Sequence, residues 1–239
     1  MRKSKDKNYL GIVYAVALVL VMTSVVFFLM FKNSNNMNNN FVNNIITSIT
    51  TNNNYNKEII SHKGNVTDVI IRNGEIVSYK YNNFQFEKNN NVWTTEIQFG
   101  EQPYYITFSY GPIEVENISI VFNSNYFQKI ATPKHKVYVT FDHDTTNASY
   151  IATSAVNLIT NLKTVYGLNI SRACLKNSTN CAGAPIITCQ SNPNNAVIQF
   201  IESETPYAVY DKNCLTIYGS NTEFIKTTEK VILSWYKIF

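Results

Sequence analysis

Residues 9–31 read YLGIVYAVALVLVMTSVVFFLMF, an uncharged run bounded by Lys7 and Lys32. As a helix rising about 1.5 Å per residue it spans roughly 34 Å, a little more than the hydrocarbon core of a bilayer. Gly11, Thr23 and Ser24 are its breaks in apolarity. A helix in lipid accommodates them because its backbone groups bond within the segment. The run predicts a transmembrane helix, with the rest of the chain on one side of a membrane.

The flanks say which side. Arg2, Lys3, Lys5 and Lys7 precede the run against the single Asp6, whereas behind it Lys32 stands alone until Lys57. Positive charge held at the amino end predicts that residues 1–8 form a cytoplasmic basic stub. A cleaved secretory signal also starts basic and continues apolar, but its apolar region is about 7–15 residues and a small-residue cleavage site follows. Here the run is longer and FKNSNN follows it. The expectation is an uncleaved signal-anchor of type II topology, with the carboxyl-terminal region extracytoplasmic.

The formal charge of +4 is concentrated in that stub. A basic face on a folded domain is what nucleic-acid binding requires, so the balance excludes that partner class. Residues 32–57 are dominated by Asn, whose amide competes for backbone hydrogen bonds. They read as a stalk, reaching about 27 Å as a random coil.

Residues 58–130 read as an antiparallel β region. VTDVII and IVSYKY flank Asn73-Gly74, the pair that supplies the two positive-φ residues of a type I′ hairpin turn. In NVWTTEIQF, Trp93, Thr95, Ile97 and Phe99 alternate with Val92, Thr94, Glu96 and Gln98, which implies one buried and one wet face. YYITFSYGP predicts a further strand, and Glu114 and Glu116 around Val115 a return strand or connector. The aromatic stripe reads as core before it reads as a sugar-binding surface.

Residues 131–239 change period. After the strand KVYVTF, the positions Ile151, Ala155, Leu158, Ile159 and Leu162 follow helical spacing. Asn147 or Thr146 is placed to cap that helix and Gly167 to end it. LNISRACL, PIITC, AVIQFIE and CLTIYG read as strands. A last helix starts near Asn221, with Ser220-Asn221-Thr222-Glu223 as a capping box and Phe224, Ile225, Thr228, Val231, Ile232 and Trp235 on one face. Together with the first segment this predicts an α+β fold: a transmembrane helix, an antiparallel β segment and a small α/β sandwich. Cys174, Cys181, Cys189 and Cys214 lack the C-x2-C knuckles of a zinc site. An even count outside the cell predicts two disulfides, Cys174 with Cys181 across a polar loop and Cys189 with Cys214 at two strand ends.

YNNFQFEKNNNVWTTEIQ, SYGPIEVENISI, VYVTFD, PIITC, NCLTIYG and EKVILSWYKIF together resemble a family of single-span surface proteins of small-genomed DPANN archaea. The likeness covers about residues 81–239. It implies a surface location and an external cysteine-bearing α/β region, and no catalytic residues. At His143 and Asp144 the chain departs from the proline and small polar residue that the resemblance leads one to expect.

For chemistry, Asp142-His143-Asp144 follows the strand KVYVTF, where α/β sheets bind ligands, and could hold a divalent metal or, as D-x-D, a nucleotide sugar's metal. Such loops also collect Asp, Thr and Asn as helix caps. Glu202 and Glu204 could pair as acid and base, although carboxylates at i and i+2 more often share a wet strand face. His62 and His135 are scattered. No Gly-rich phosphate loop, G-x-S-x-G or H-E-x-x-H occurs, and no cofactor is expected. Sequons at Asn65, Asn117, Asn147, Asn169 and Asn177 are about as many as chance gives in so Asn-rich a chain. The expected function is a surface binding, adhesion or envelope-assembly module. Its partners would be the bilayer through residues 9–31 and other surface proteins or glycans. The alternative is a surface enzyme of glycan or nucleotide-sugar chemistry using Asp142 and Asp144.

Overall fold

The computed structural model of the protein describes residues 65–239 apart from 182, 192 and 193. The expected stub, transmembrane helix and stalk lie outside the described residues. Among these no helix is long and apolar enough to cross a membrane.

Five strands, β1 (Val66–Arg72), β2 (Glu75–Tyr81), β3 (Phe84–Asn89), β4 (Val92–Phe99) and β5 (Gln102–Phe108), form a sheet in sequence order. Its hairpins are made by two-residue turns. Asn73-Gly74, Asn82-Asn83 and Asn90-Asn91 all have positive φ at both positions, the type I′ requirement that Asn meets at low cost. In the last turn Gly100 alone has positive φ, as a type II′ turn needs. Trp93, Thr95 and Ile97 are buried as the alternation implies, but Phe99 is exposed. Tyr79 lies between Phe86, stacked at 5.4 Å, and Trp93, edge-on at 4.8 Å, and the aromatic stripe is core.

Six further strands form a mixed sheet. They are β6 (Ser119–Phe122), β7 (Lys136–Phe141), β8 (Asn169–Cys174), β9 (Ala196–Glu202), β10 (Tyr207–Asp211) and β11 (Cys214–Gly219), in the order β6-β10-β11-β9-β7-β8. The four strands β11, β9, β7 and β8 run parallel to one another. β10 is antiparallel to β11, and β6 runs parallel to β10. The central β9, AVIQFIE, is buried over its first five residues, the near-continuous apolar run of a strand covered on both faces. β6 draws the start of this sheet into the stretch read as the antiparallel region.

The helices are α1 (Pro112–Val115), α2 (Tyr126–Ile130), α3 (Ala148–Tyr166) and α4 (Thr222–Trp235). α3 connects β7 to its parallel neighbour β8, and ends at Gly167 with φ 63°, as the C-cap reading requires. Ile151, Ala155, Leu158 and Leu162 are buried on it. α4 packs on α3, β11 and α1. Burying a side chain such as Phe224 contributes about 1.5–3 kcal/mol. At Gly219 an added Cβ would lie 2.9 Å from the amide nitrogen of Phe224, so only glycine lets α4 start against the end of β11.

The structure corrects four readings. The Glu114 region is helix α1, because Pro112 presets φ at the first helical position and Gly111 N donates to Glu114 Oε2 at 2.5 Å. PIITC is no strand: Ile186 makes a single bridge to Cys174. Thr188 and Ser191 then exchange hydrogen bonds of 2.8 and 3.1 Å that turn the chain away. YAVYD, unassigned from sequence, is β10. The capping box at α4 does not form, since Glu223 pairs with Lys226 at 2.6 Å and Asn221 precedes the helix at φ 48°.

Both cysteine pairs are closed, Cys174 with Cys181 and Cys189 with Cys214. The first ties the end of β8 to a short 3-10 turn, and the second ties a loop to the start of β11. Among the described residues, 65–69 and 77–239 fall in one compact unit, which leaves out Ile70–Ile76 of the first hairpin.

Candidate functional site at the carboxyl end of the parallel strands

Because β11, β9, β7 and β8 are parallel, their carboxyl ends share one edge of the sheet. The connections of β7 and β9 leave in different directions there, β7 through α3 to β8 and β9 to β10. In open α/β sheets this is where ligands bind. Residues 142–147, Lys176, Asn180, Glu202 and Asn221 meet at this edge.

Asn147 and Glu202 form the joint. Asn147 Nδ2 donates to Glu202 Oε1 at 2.8 Å, the Thr145 hydroxyl donates to the same oxygen, and Asn147 Oδ1 accepts from the Asn221 amide at 2.7 Å. The N-cap residue of α3 therefore does not cap its own helix. Its amide ties the starts of α3 and α4 to the end of β9.

The three candidate ligands do not converge. Asp142 Oδ2 pairs with Lys176 Nζ at 2.8 Å, and its Oδ1 accepts from the Asp144 amide at 3.0 Å. The Lys176 hydrogen bond holds the Asp142 carboxyl below its ordinary range, with the Asp144 amide adding to it. Asp144 Oδ1 accepts from Asn180 Nδ2 at 3.1 Å. His143 turns the other way, its ring 3.9 Å from that of Phe141. A ring nitrogen of His143 and the sulfurs of Cys174 and Cys181 lie within 4.8 Å of one another. Those sulfurs are bonded to each other, which removes the thiolates a metal would need. Glu202 is committed to Thr145 and Asn147, and Glu204 is exposed. The arrangement presents hydrogen-bond acceptors and one lysine at a wet edge, without a positioned acid–base pair.

A buried carboxylate elsewhere was not read from sequence. Glu229, on α4, is buried. Its Oε1 accepts from Ser109 N at 2.8 Å and Asn157 Nδ2 at 3.2 Å, and its Oε2 from Tyr110 N at 2.9 Å. Burial pushes its carboxyl up to about 8, against the opposing pull of those amides, and Glu114 adds to the rise. Glu114 is also raised, chiefly by burial. Glu229 holds the turn between β5 and α1 onto α4, and Glu114 closes that turn on itself through Gly111 N. The available signal was Glu229's position in the apolar arc of α4 beside Thr228, Ile232 and Leu233. An apolar hollow of about 200 Å³ near Phe127, Tyr166, Leu168 and Trp235 lacks the convergent polar groups of a catalytic pocket.

Comparison with known protein families, with curated proteins and with solved structures gives no match.

Proposed function

We propose that the chain is a membrane-anchored extracytoplasmic protein whose α+β region acts by binding, adhesion or envelope assembly at the cell surface. The amino-terminal stub lies in the cytoplasm, residues 9–31 cross the bilayer, and the partners are surface proteins or glycans. The observation that carries the reading is the closure of all four cysteines into Cys174–Cys181 and Cys189–Cys214. Disulfides of this kind persist in oxidising compartments and are rare where thiols are kept reduced. The uncharged run with its basic flank, and the resemblance to single-span archaeal surface proteins, support the same location.

The metal-dependent surface enzyme needs Asp142 and Asp144 on one ion. Their engagement with Lys176 and Asn180 weighs against it. Alanine at both positions with calorimetric metal titration separates the readings: binding lost in the variant supports the enzyme, and negligible binding in both proteins removes it. For location, protease added to intact cells should digest the carboxyl-terminal region, and a thiol reagent added to the denatured, unreduced protein should label none of its cysteines. A protected carboxyl-terminal region with free thiols overturns the proposal.

A further inference from the structure

A sheet edge exposes unpaired backbone donors and acceptors, and folded proteins block it with charge, proline, a bulge or a cover. Among the described residues the two sheets have four edges: β1, β5, β6 and β8. β5 carries Pro103. The other three coincide with the sequons. Asn65-Val66-Thr67 runs into β1, Asn117-Ile118-Ser119 ends on the first residue of β6, and Asn169-Ile170-Ser171 begins β8. All three asparagines are exposed.

The match is closest where the edge is barest. From Asn117 to Gln128 the chain has no charged residue. Within that stretch Val121, Phe122 and Tyr126 are 42%, 62% and 43% exposed. On β8 the carboxyl end is covered through the bridge from Cys174 to Ile186, and the sequon sits at the uncovered amino end. No interior strand carries a sequon. Asn177 lies in the loop closed by Cys174–Cys181, away from the open strand starts. Asn147 is 9% exposed and holds Glu202 and the Asn221 amide, so the folded protein has no room for a sugar there.

We infer that Asn65, Asn117 and Asn169 are N-glycosylation sites whose glycans cover the open strand edges against pairing with a second copy of the chain. The inference rests on the extracytoplasmic reading above. In the transfer, the Asn Nδ2 forms a bond to the anomeric carbon of a lipid-phosphate-linked oligosaccharide, whose bond to phosphate oxygen breaks. The lipid phosphate leaves with the electron pair, and the amide loses one proton. A bulky, hydrated group at the start of an edge strand keeps another strand from adding to it.

The test uses the full chain made in an N-glycosylating host and extracted from membranes in detergent. Glycosidase release in heavy-oxygen water marks each occupied Asn as labelled Asp by mass spectrometry, with non-reducing peptide mapping on the same sample. Asn65, Asn117 and Asn169 should be marked and Asn147 unmarked. Ser119→Ala, which removes the β6 glycan and leaves Asn117 in place, should strengthen self-association by sedimentation about tenfold or more. Asn117→Gln should do the same, and Ser171→Ala less. Closed disulfides with the three edge sites unmarked overturn the glycan inference and leave the location standing. Free cysteines with no glycan overturn the location itself. Marked sites whose removal leaves the protein as monomeric as before overturn the shielding role.

Discussion

The five-stranded sheet and the mixed sheet hold their strands together by different means. Each pair in β1–β5 is neighbouring in sequence and is turned by two residues, so register follows from Asn and Gly at the turns and alternation along the strands. In the mixed sheet β9 is flanked by β7 and β11, and β6 pairs with β10 from far along the chain. There the pattern within a strand says that it is buried, and says nothing about its neighbour. Local turn chemistry therefore specifies the first sheet, whereas core packing and cross-links specify the second. Substitutions in the two regions should differ accordingly in size.

The largest effect is expected at Phe224, fully buried at the start of α4 and edge-on to Phe200 of β9. Phe224→Ala should cost about 3–5 kcal/mol in denaturant unfolding, the range for emptying an aromatic site. A loss under 1 kcal/mol would mean that the mixed sheet does not depend on α4. Next comes the Cys189–Cys214 bond, which closes a segment of 25 residues. Cys189→Ala with Cys214→Ala should cost about 3 kcal/mol, and opening Cys174–Cys181, with a separation of 7, somewhat less, because a shorter loop constrains the unfolded chain less. Equal losses would contradict that account.

Most of the first sheet was legible in the sequence because its signals are short-range. Asn73-Gly74 predicted its turn, and Trp93, Thr95 and Ile97 predicted the buried face. Phe99 broke the alternation because it lies at the strand end against Tyr166, at 5.0 Å. In the second sheet α3 and three of the four later strands were legible. β10 was not: YAVYD is short, follows Pro206 and ends at Asp211, and its place depends on β11 and β6. PIITC misled in the opposite sense, since apolar content cannot show that Thr188 and Ser191 close a turn. Of the candidate site, the Asp142 loop and both disulfide pairings were visible. The joint of Asn147, Glu202 and Asn221 was not, because its members are 55 and 74 residues apart.

Glu229 joins the two regions, and its titration sharpens the comparison. Its folded pKa of about 8 lies above the ordinary carboxyl value. The stability it contributes is therefore complete below about pH 4.5 and is lost as pH rises through 8. Unfolding free energy should fall across that window with a slope of up to about 1.4 kcal/mol per pH unit. Glu114, raised in the same direction, adds to the fall. Lys230, pushed down to about 8 by burial, acts oppositely above that pH. Glu229→Gln should flatten the profile between pH 5 and 8, as read by chemical denaturation at each pH. A profile unchanged by the substitution would remove Glu229 as the titrating joint.

The smallest effect lies in the Asn turns, and it bears most directly on the claim that the first sheet is locally specified. Asn91 sits at φ 63° in the turn between β3 and β4, a conformation that Asn tolerates and most side chains resist. Asn91→Ala should cost about 1 kcal/mol, and Asn91→Gly should be near neutral, because glycine enters the left-handed region without a Cβ penalty. The pair of substitutions separates backbone conformation from side-chain contact: a lost amide contact would make Ala and Gly equally costly. If both variants instead unfold with unchanged midpoints, tertiary contacts of Trp93 and Phe86 set the register, and the first sheet is held together in the same way as the second.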